Sequence, residues 1–226
     1  MTTQNIEYQF EFEDGASASY EVKLNFPSLI SQKQEIDSIP NWVELECEKC
    51  SNCPLDSSNY PVCPVAQDLI PVLKFCTGRA SHDPVIVRVE KSDSSILANV
   101  TMEKGISSLL GLIMATSGCP HMTYFKPMAR FHLPFANEEE SLYRVASMHL
   151  LRQYFCKQNR NKDEDFDGLE EIFENVQTVN RGIANRMRLA STDDAAVNAV
   201  VLLDLLAMSV PYSIDESLQE LKYLFE

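Results

Sequence analysis

Ile6, Tyr8, Phe10 and Phe12 alternate without a break against Glu7, Gln9 and Glu11, and this pattern leaves the start of the chain few options. Side chains two residues apart share one face of a β-strand but not one face of a helix, so the segment predicts a strand with one apolar and one polar side. Asp14-Gly15 then supplies the residues of a tight turn, and Tyr20, Val22, Leu24 and Phe26 resume the alternation. The pair predicts a β-hairpin.

A second hairpin follows from Val85, Val87 and Val89, a turn at Lys91-Ser92-Asp93-Ser94, and Ile96, Ala98, Val100 and Met102. A sheet with one apolar face must be covered there, so four antiparallel strands with helices on one side is the expected assembly. The first covering helix starts at Pro64, a residue that fits a first helical turn, and carries Val65, Leu69, Val72, Leu73 and Cys76 inward before Gly78 ends it. Pro71 is expected to kink or divide it. Gly105 to Ser117 is apolar nearly all round and reads as a central core helix. Pro27 to Pro40 reads as loop or short helix, and Gly118 to Pro134, with its prolines and aromatic residues, as an irregular packed connection.

From Asn137 the pattern is helical throughout. Asn137 is placed to cap a helix whose first turn holds Glu138, Glu139 and Glu140, running to about Gln158. Leu169, Ile172, Val176, Val179 and Ile183 step by three and four, the spacing of a helix packed lengthwise on another. Asp193-Asp194 is expected to cap a helix through Met208, Pro211 to break it, and Ser213 to Phe225 to form a last one. The fold class is therefore α+β: two β-hairpins forming an antiparallel sheet with helices packed on it, followed by an all-helical C-terminal part. Residues 1–134 form the cysteine-containing α+β domain, and residues 135–226 a helical bundle region, either continuous with the first core or beside it.

Composition narrows the function classes. With 226 residues and 45% hydrophobic content the chain can bury a full core. Its formal charge of −14 repels phosphate backbones and anionic lipid, which argues against nucleic acid and membrane surfaces as partners. The apolar runs Ile106 to Thr116 and Ala195 to Val210 fall short of the roughly 20 residues that a membrane span requires. No basic and apolar leader opens the sequence, so a cytoplasmic protein is expected.

Four of the seven cysteines stand close together as Cys47, Cys50, Cys53 and Cys63, in the pattern C-x2-C-x2-C-x9-C-P. In a reducing compartment such spacing points to thiolates converging on a metal, about 2.3 Å from zinc, before it points to disulfides. The opening also matches a bacterial ferredoxin run, although the fourth cysteine comes later than in that run, so an iron–sulfur cluster is the alternative cofactor. Cys53-Pro54, Cys63-Pro64 and Cys119-Pro120 repeat one dipeptide. Proline after a ligand stiffens the turn that presents the sulfur, which adds Cys119 to the candidates and leaves Cys47 spare in one version of the site.

Other candidates have ordinary readings beside the functional ones. Cys76 and Cys156 sit in apolar helical contexts. Cys119 with His121 offers a nucleophile and base, but neighbours two apart seldom face each other. His82 beside Asp83 suits a turn, His132 and His149 suit packing, and Asp204 needs a partner such as Arg144 or Arg152. Glycine-rich phosphate loops, G-x-S-x-G, H-E-x-x-H and C-x5-R are all missing from the sequence, as is the paired Glu-x-x-His of di-iron bundles.

The run Cys50-Ser-Asn-Cys53-Pro-Leu, with Tyr60-Pro-Val-Cys63-Pro-Val-Ala66 and Ser117-Gly-Cys119-Pro120, resembles an uncharacterised bacterial family of unknown function. The likeness covers residues 42 to 155, counting Glu140, Arg144 and Leu150 to Tyr154. It implies a bacterial cytoplasmic protein in which Cys119 belongs with the earlier cysteines, and it carries no activity over. The expected function is non-catalytic metal binding, zinc before iron–sulfur, with an interaction or regulatory role and protein association, or self-association, through the helical region. The alternatives are a redox or thiol enzyme using Cys119 or a cluster, and an interaction module without metal.

Overall fold

The computed structural model describes residues 3–33, 38–156, 166, 168–191 and 194–226. Strands β1 (Thr3–Phe12) and β2 (Ser17–Asn25) pair antiparallel around the Asp14-Gly15 turn, where the Asp14 carboxylate accepts the Ala16 N–H at 2.9 Å. Gly15 holds φ at +80°, a conformation that costs glycine little. Strands β4 (Pro84–Lys91) and β5 (Ser95–Thr101) make the second hairpin, and β4 pairs with β1 so that Phe10 stands opposite Val87. A fifth, two-residue strand, β3 (Ile30–Ser31), extends β2. The sheet runs β3-β2-β1-β4-β5, all antiparallel. The expectation of four strands is thus corrected by one: Ile30–Ser31 lies in the stretch read as loop or short helix, and two residues are too few to show a period.

Helix α1 (Pro64–Cys76) runs through Pro71 as one piece. Helix α2 (Met102–Thr116) begins directly after β5, with Met102 N–H on the Asp83 carbonyl and Glu103 N–H on that of Ser81. It lies tightly on the sheet at Gly105, where a Cβ would stand 3.0 Å from Val87 and 3.1 Å from Phe10. A side chain there would require Val87 and Phe10 to give way. A 3-10 turn (Met122–Phe125) and a short helix α3 (Lys126–Arg130) occupy the connection read as irregular.

Helix α4 (Glu138–Cys156) opens on a reciprocal cap. Glu140 N–H donates to Asn137 Oδ1 at 2.8 Å, and Asn137 N–H donates to the Glu140 carboxylate at 2.9 Å. Gln158, the expected end of this helix, lies outside the described residues. Helix α5 (Leu169–Ala190) packs along α6 (Ala195–Glu220), and its heptad residues Leu169, Val176, Val179 and Ile183 are buried in that contact and the core around it. Helix α6 runs unbroken through Pro211, against the expected break. Asp194 does precede it, but the carboxylate is held by Ser81 N–H and Oγ; Asp193 lies outside the described residues.

One cluster of buried side chains takes in the sheet, α1, α2 and the helices α4 to α6. Beneath it, a polar node ties β3, α1 and α2 together. Lys33 Nζ donates to the buried Asp68 carboxylate at 2.6 Å and to the carbonyls of Pro64 and Ser117, while Ser31 Oγ donates to Asp68 and to the Thr116 carbonyl. Burial pushes the Asp68 carboxyl up from 3.8 to about 6, with Lys33 and Ser31 pulling the other way. A raised carboxyl holds its proton longer in the folded state than in the unfolded one. Its contribution to stability is therefore complete below about pH 4 and lost as pH rises through about 6. Asp68→Asn, which cannot ionise, should gain on the wild type between about pH 4 and pH 7 in urea unfolding; a difference that stays flat or runs the other way would mean that Lys33 outweighs burial.

Candidate metal centre

The cysteine segment is a long loop closed at its neck. After the 3-10 turn Asn41–Val43, Glu44 and Val62 form an antiparallel bridge, Leu45 N–H reaches the Pro61 carbonyl, and Cys63 N–H the Val43 carbonyl at 2.8 Å. Cys63 is thereby buried at the N-cap of α1, the end of a helix that favours negative charge. Inside the loop Cys53 N–H bonds the Cys50 carbonyl at 2.9 Å, folding the two into one tight turn. Cys47 N–H is held by the Glu44 carbonyl a turn earlier.

Cys119 comes from the other side, from the turn that follows α2. That turn is pinned to the loop: His121 Nε2 donates to the Asn52 carbonyl at 2.7 Å, between Cys50 and Cys53. The Lys33 node holds the other two approaches, since it binds the carbonyl of Pro64, next to Cys63, and that of Ser117, two residues before Cys119. Cys50 and Cys119 accordingly stand within reach of their neighbours' charge. Burial, with the charges of Cys63 and Cys53 added, pushes the Cys50 thiol up to about 11. Burial likewise raises Cys119 to about 11, with Cys63 and Cys50 adding to it and backbone N–H groups of His121 and Met122 on its sulfur opposing. All seven cysteines are free thiols, and among the described residues no group of three or more His, Cys, Asp or Glu side chains is drawn together closely enough to hold a metal ion.

Helix α5 forms the wall behind the loop. Asn175, Gly182 and Arg186 follow one another along it at steps of seven and four. Asn52 Nδ2 donates to the Asn175 side chain at 2.8 Å, and Cys50 packs on Gly182, where a Cβ would stand 2.7 Å from its sulfur. Arg186, only 2% exposed, donates to the carbonyls of Trp42, Glu44 and Leu45 at 2.7 to 2.8 Å. Its Nε is buried without a partner, and no carboxylate pairs with the guanidinium among the described residues. Its charge is felt instead by Cys50, whose thiol it pulls downward.

The remaining candidates have structural partners. Tyr124 OH and Gln153 hold the two nitrogens of His149, and Tyr8 OH holds His132. Asp83 caps its own turn by accepting the Ala80 N–H, with His82 exposed beside it. Asp204 accepts from Asn180 Nδ2; Arg144 turns to the carbonyls of Met128 and Phe131, and Arg152 lies over the Tyr124 ring. Cys76 is buried and Cys156 exposed. Among the described residues no helix is long and apolar enough to cross a membrane.

Sequence reasoning missed Gly182 and Arg186. A glycine inside a helix costs about 1 kcal/mol against alanine, and its place four residues before an arginine was the available signal. Gly182→Ala should destabilise the protein by ~1–3 kcal/mol in urea unfolding, because the added methyl displaces Cys50 and its loop. A gain in stability, as helix propensity alone predicts, would mean that the loop does not press on this helix. A family model described as a domain of unknown function (DUF6901) matches residues 6–226. No curated protein and no solved structure matches the chain.

Proposed function

The chain thus belongs to the DUF6901 family, and from its own residues we propose that it is a cytoplasmic metal-binding protein in which Cys50, Cys53, Cys63 and Cys119 hold one ion, zinc before an iron–sulfur cluster. The observation that carries this reading is the convergence of two distant cysteine segments, bound to each other through His121 and Asn52, beside a buried arginine that has no acid partner among the described residues. A guanidinium taken out of water without a counter-charge costs several kcal/mol, and a set of thiolates offsets that cost. Metal binding deprotonates its thiol ligands, among them Cys50 and Cys119, which burial keeps protonated near neutral pH, and its free energy draws the four sulfurs into a closed tetrahedral set. Cys47, a turn away, stays outside that set.

The role is non-catalytic. As a nucleophile Cys119 would need to be readily ionised, whereas its thiol is half-buried and desolvation pushes it up to about 11. The site instead ties the loop, α1 and the end of α2 into one unit. Association with another protein, or a second copy, then belongs to the helical surface, where the end of α4 exposes Leu151, Tyr154 and Phe155. A monomer at micromolar concentration by light scattering would remove the second copy.

Purification under anaerobic reducing conditions, with elemental analysis and a visible spectrum of one sample, is expected to give about one zinc per chain and no colour. Serine at Cys50, Cys53, Cys63 or Cys119 should each release the metal and lower the thermal midpoint, as should a chelator, while Cys47→Ser and Cys156→Ser keep it. Iron with labile sulfide and a brown absorption would replace zinc by a cluster at the same residues. Absence of both metals from protein prepared this way, and no uptake of added zinc, would overturn the reading.

A further inference from the structure

Away from the cysteines, a cavity of about 760 Å³ lies between α2, the α3 region, α4, α5 and α6. Its size is that of a small-molecule site, typically some 300–1,000 Å³, lined mainly by apolar groups with a few polar ones. The walls here follow that description: Leu112, Phe125, Met128, Val145, Phe173 and Leu203 all face it. It opens beside the start of α4, where the exposed Asn137 and Glu138 belong to its rim.

The polar groups are few and unequal. Ser108 and His132 are already engaged, joined through Tyr8 OH, and Ser108 Oγ also accepts the Phe135 N–H at 3.1 Å. Burial and the neighbouring charges of Arg144 and Lys91 hold His132 far below its usual range, at about 3, so it is neutral. Arg144 is different. Its Nη2 donates to two carbonyls, but Nη1 and Nε make no hydrogen bond among the described residues, although the side chain is half-buried and lines the cavity. Glu140, one turn back on α4, has one carboxylate oxygen committed to the Asn137 cap. Lys104 on α2 adds a second cation to the lining. The cavity therefore joins a large apolar volume to a guanidinium with two donors to spare.

We propose that this cavity binds an amphipathic carboxylate of the medium-chain fatty-acid class, its chain among the apolar side chains and its head group on Arg144. Nη2 belongs to both forks of the guanidinium and is already committed, so the carboxylate takes a single charge-assisted hydrogen bond from Nη1 or Nε, and partial desolvation strengthens the pair relative to one in open water. The chain supplies affinity through burial of its methylene groups. The proposal stands apart from the thiol centre: none of Cys50, Cys53, Cys63 and Cys119 lines the cavity.

Calorimetric titration of the full chain with dodecanoate, below its micellar range, tests this against dodecanol, which has the same chain and no charge. Saturable binding of one dodecanoate at micromolar concentration is expected, with the alcohol about tenfold weaker. Arg144→Met should weaken dodecanoate about tenfold and leave dodecanol unchanged. Because Arg144 also holds two backbone carbonyls, a second variant is needed that does not touch them. Gly111 lines the cavity on α2, and among the described residues a Cβ there would meet Leu203 alone, at a comfortable 3.7 Å, so Gly111→Met fills the space without crowding the fold. It should abolish binding of both compounds while the thermal midpoint is kept. No saturable binding of dodecanoate, equal affinity for the alcohol, or undiminished binding in Gly111→Met would each overturn the proposal.

Discussion

Helix α2 has almost no free face, and that constraint organises the molecule. One side lies so close on β1 and β4 that even a methyl group at Gly105 would press on Val87 and Phe10, and the other side meets α6, with Gly111 under Leu203. An apolar helix enclosed on both sides fixes the order of layers as sheet, α2, then the C-terminal helices. The C-terminal stretch is consequently part of the same core and not an appendage to it. Both candidate sites hang from this one helix, the thiol turn from its end and the cavity from its flank.

Much of this was legible in the sequence, for stated reasons. The two hairpins show because each strand has one wet and one dry face, so period two survives in the residues. The capping pair Asn137 and Glu140 shows because its chemistry is local. What did not show depends on tertiary context. Strand β3 is two residues long and exists only because β2 offers it an edge. Pro71 and Pro211 read as interruptions, yet both lie within continuous helices.

The site divides in the same way. Spacing brought out the cysteines, since thiols in a short run are conspicuous. The wall behind them did not stand out, because on α5 the apolar heptad positions dominate the pattern, and Asn175, Gly182 and Arg186, though spaced seven and four apart, add no apolar signal to it. The cavity is harder still, since its lining comes from five segments that only folding brings together.

The Lys33 ammonium holds the chain beside Cys63 and the chain before Cys119 through two backbone carbonyls, and neither bond involves a sulfur. The loss of conformational freedom needed to bring these two turns together is therefore part of the folding equilibrium itself. A species binding at the thiols, as proposed, would meet a rim already assembled and have side-chain rotations and short loop shifts left to impose. Such preorganisation makes association tighter for a given set of bonds. It also places the determinant of that tightness on a lysine that never touches the arriving species.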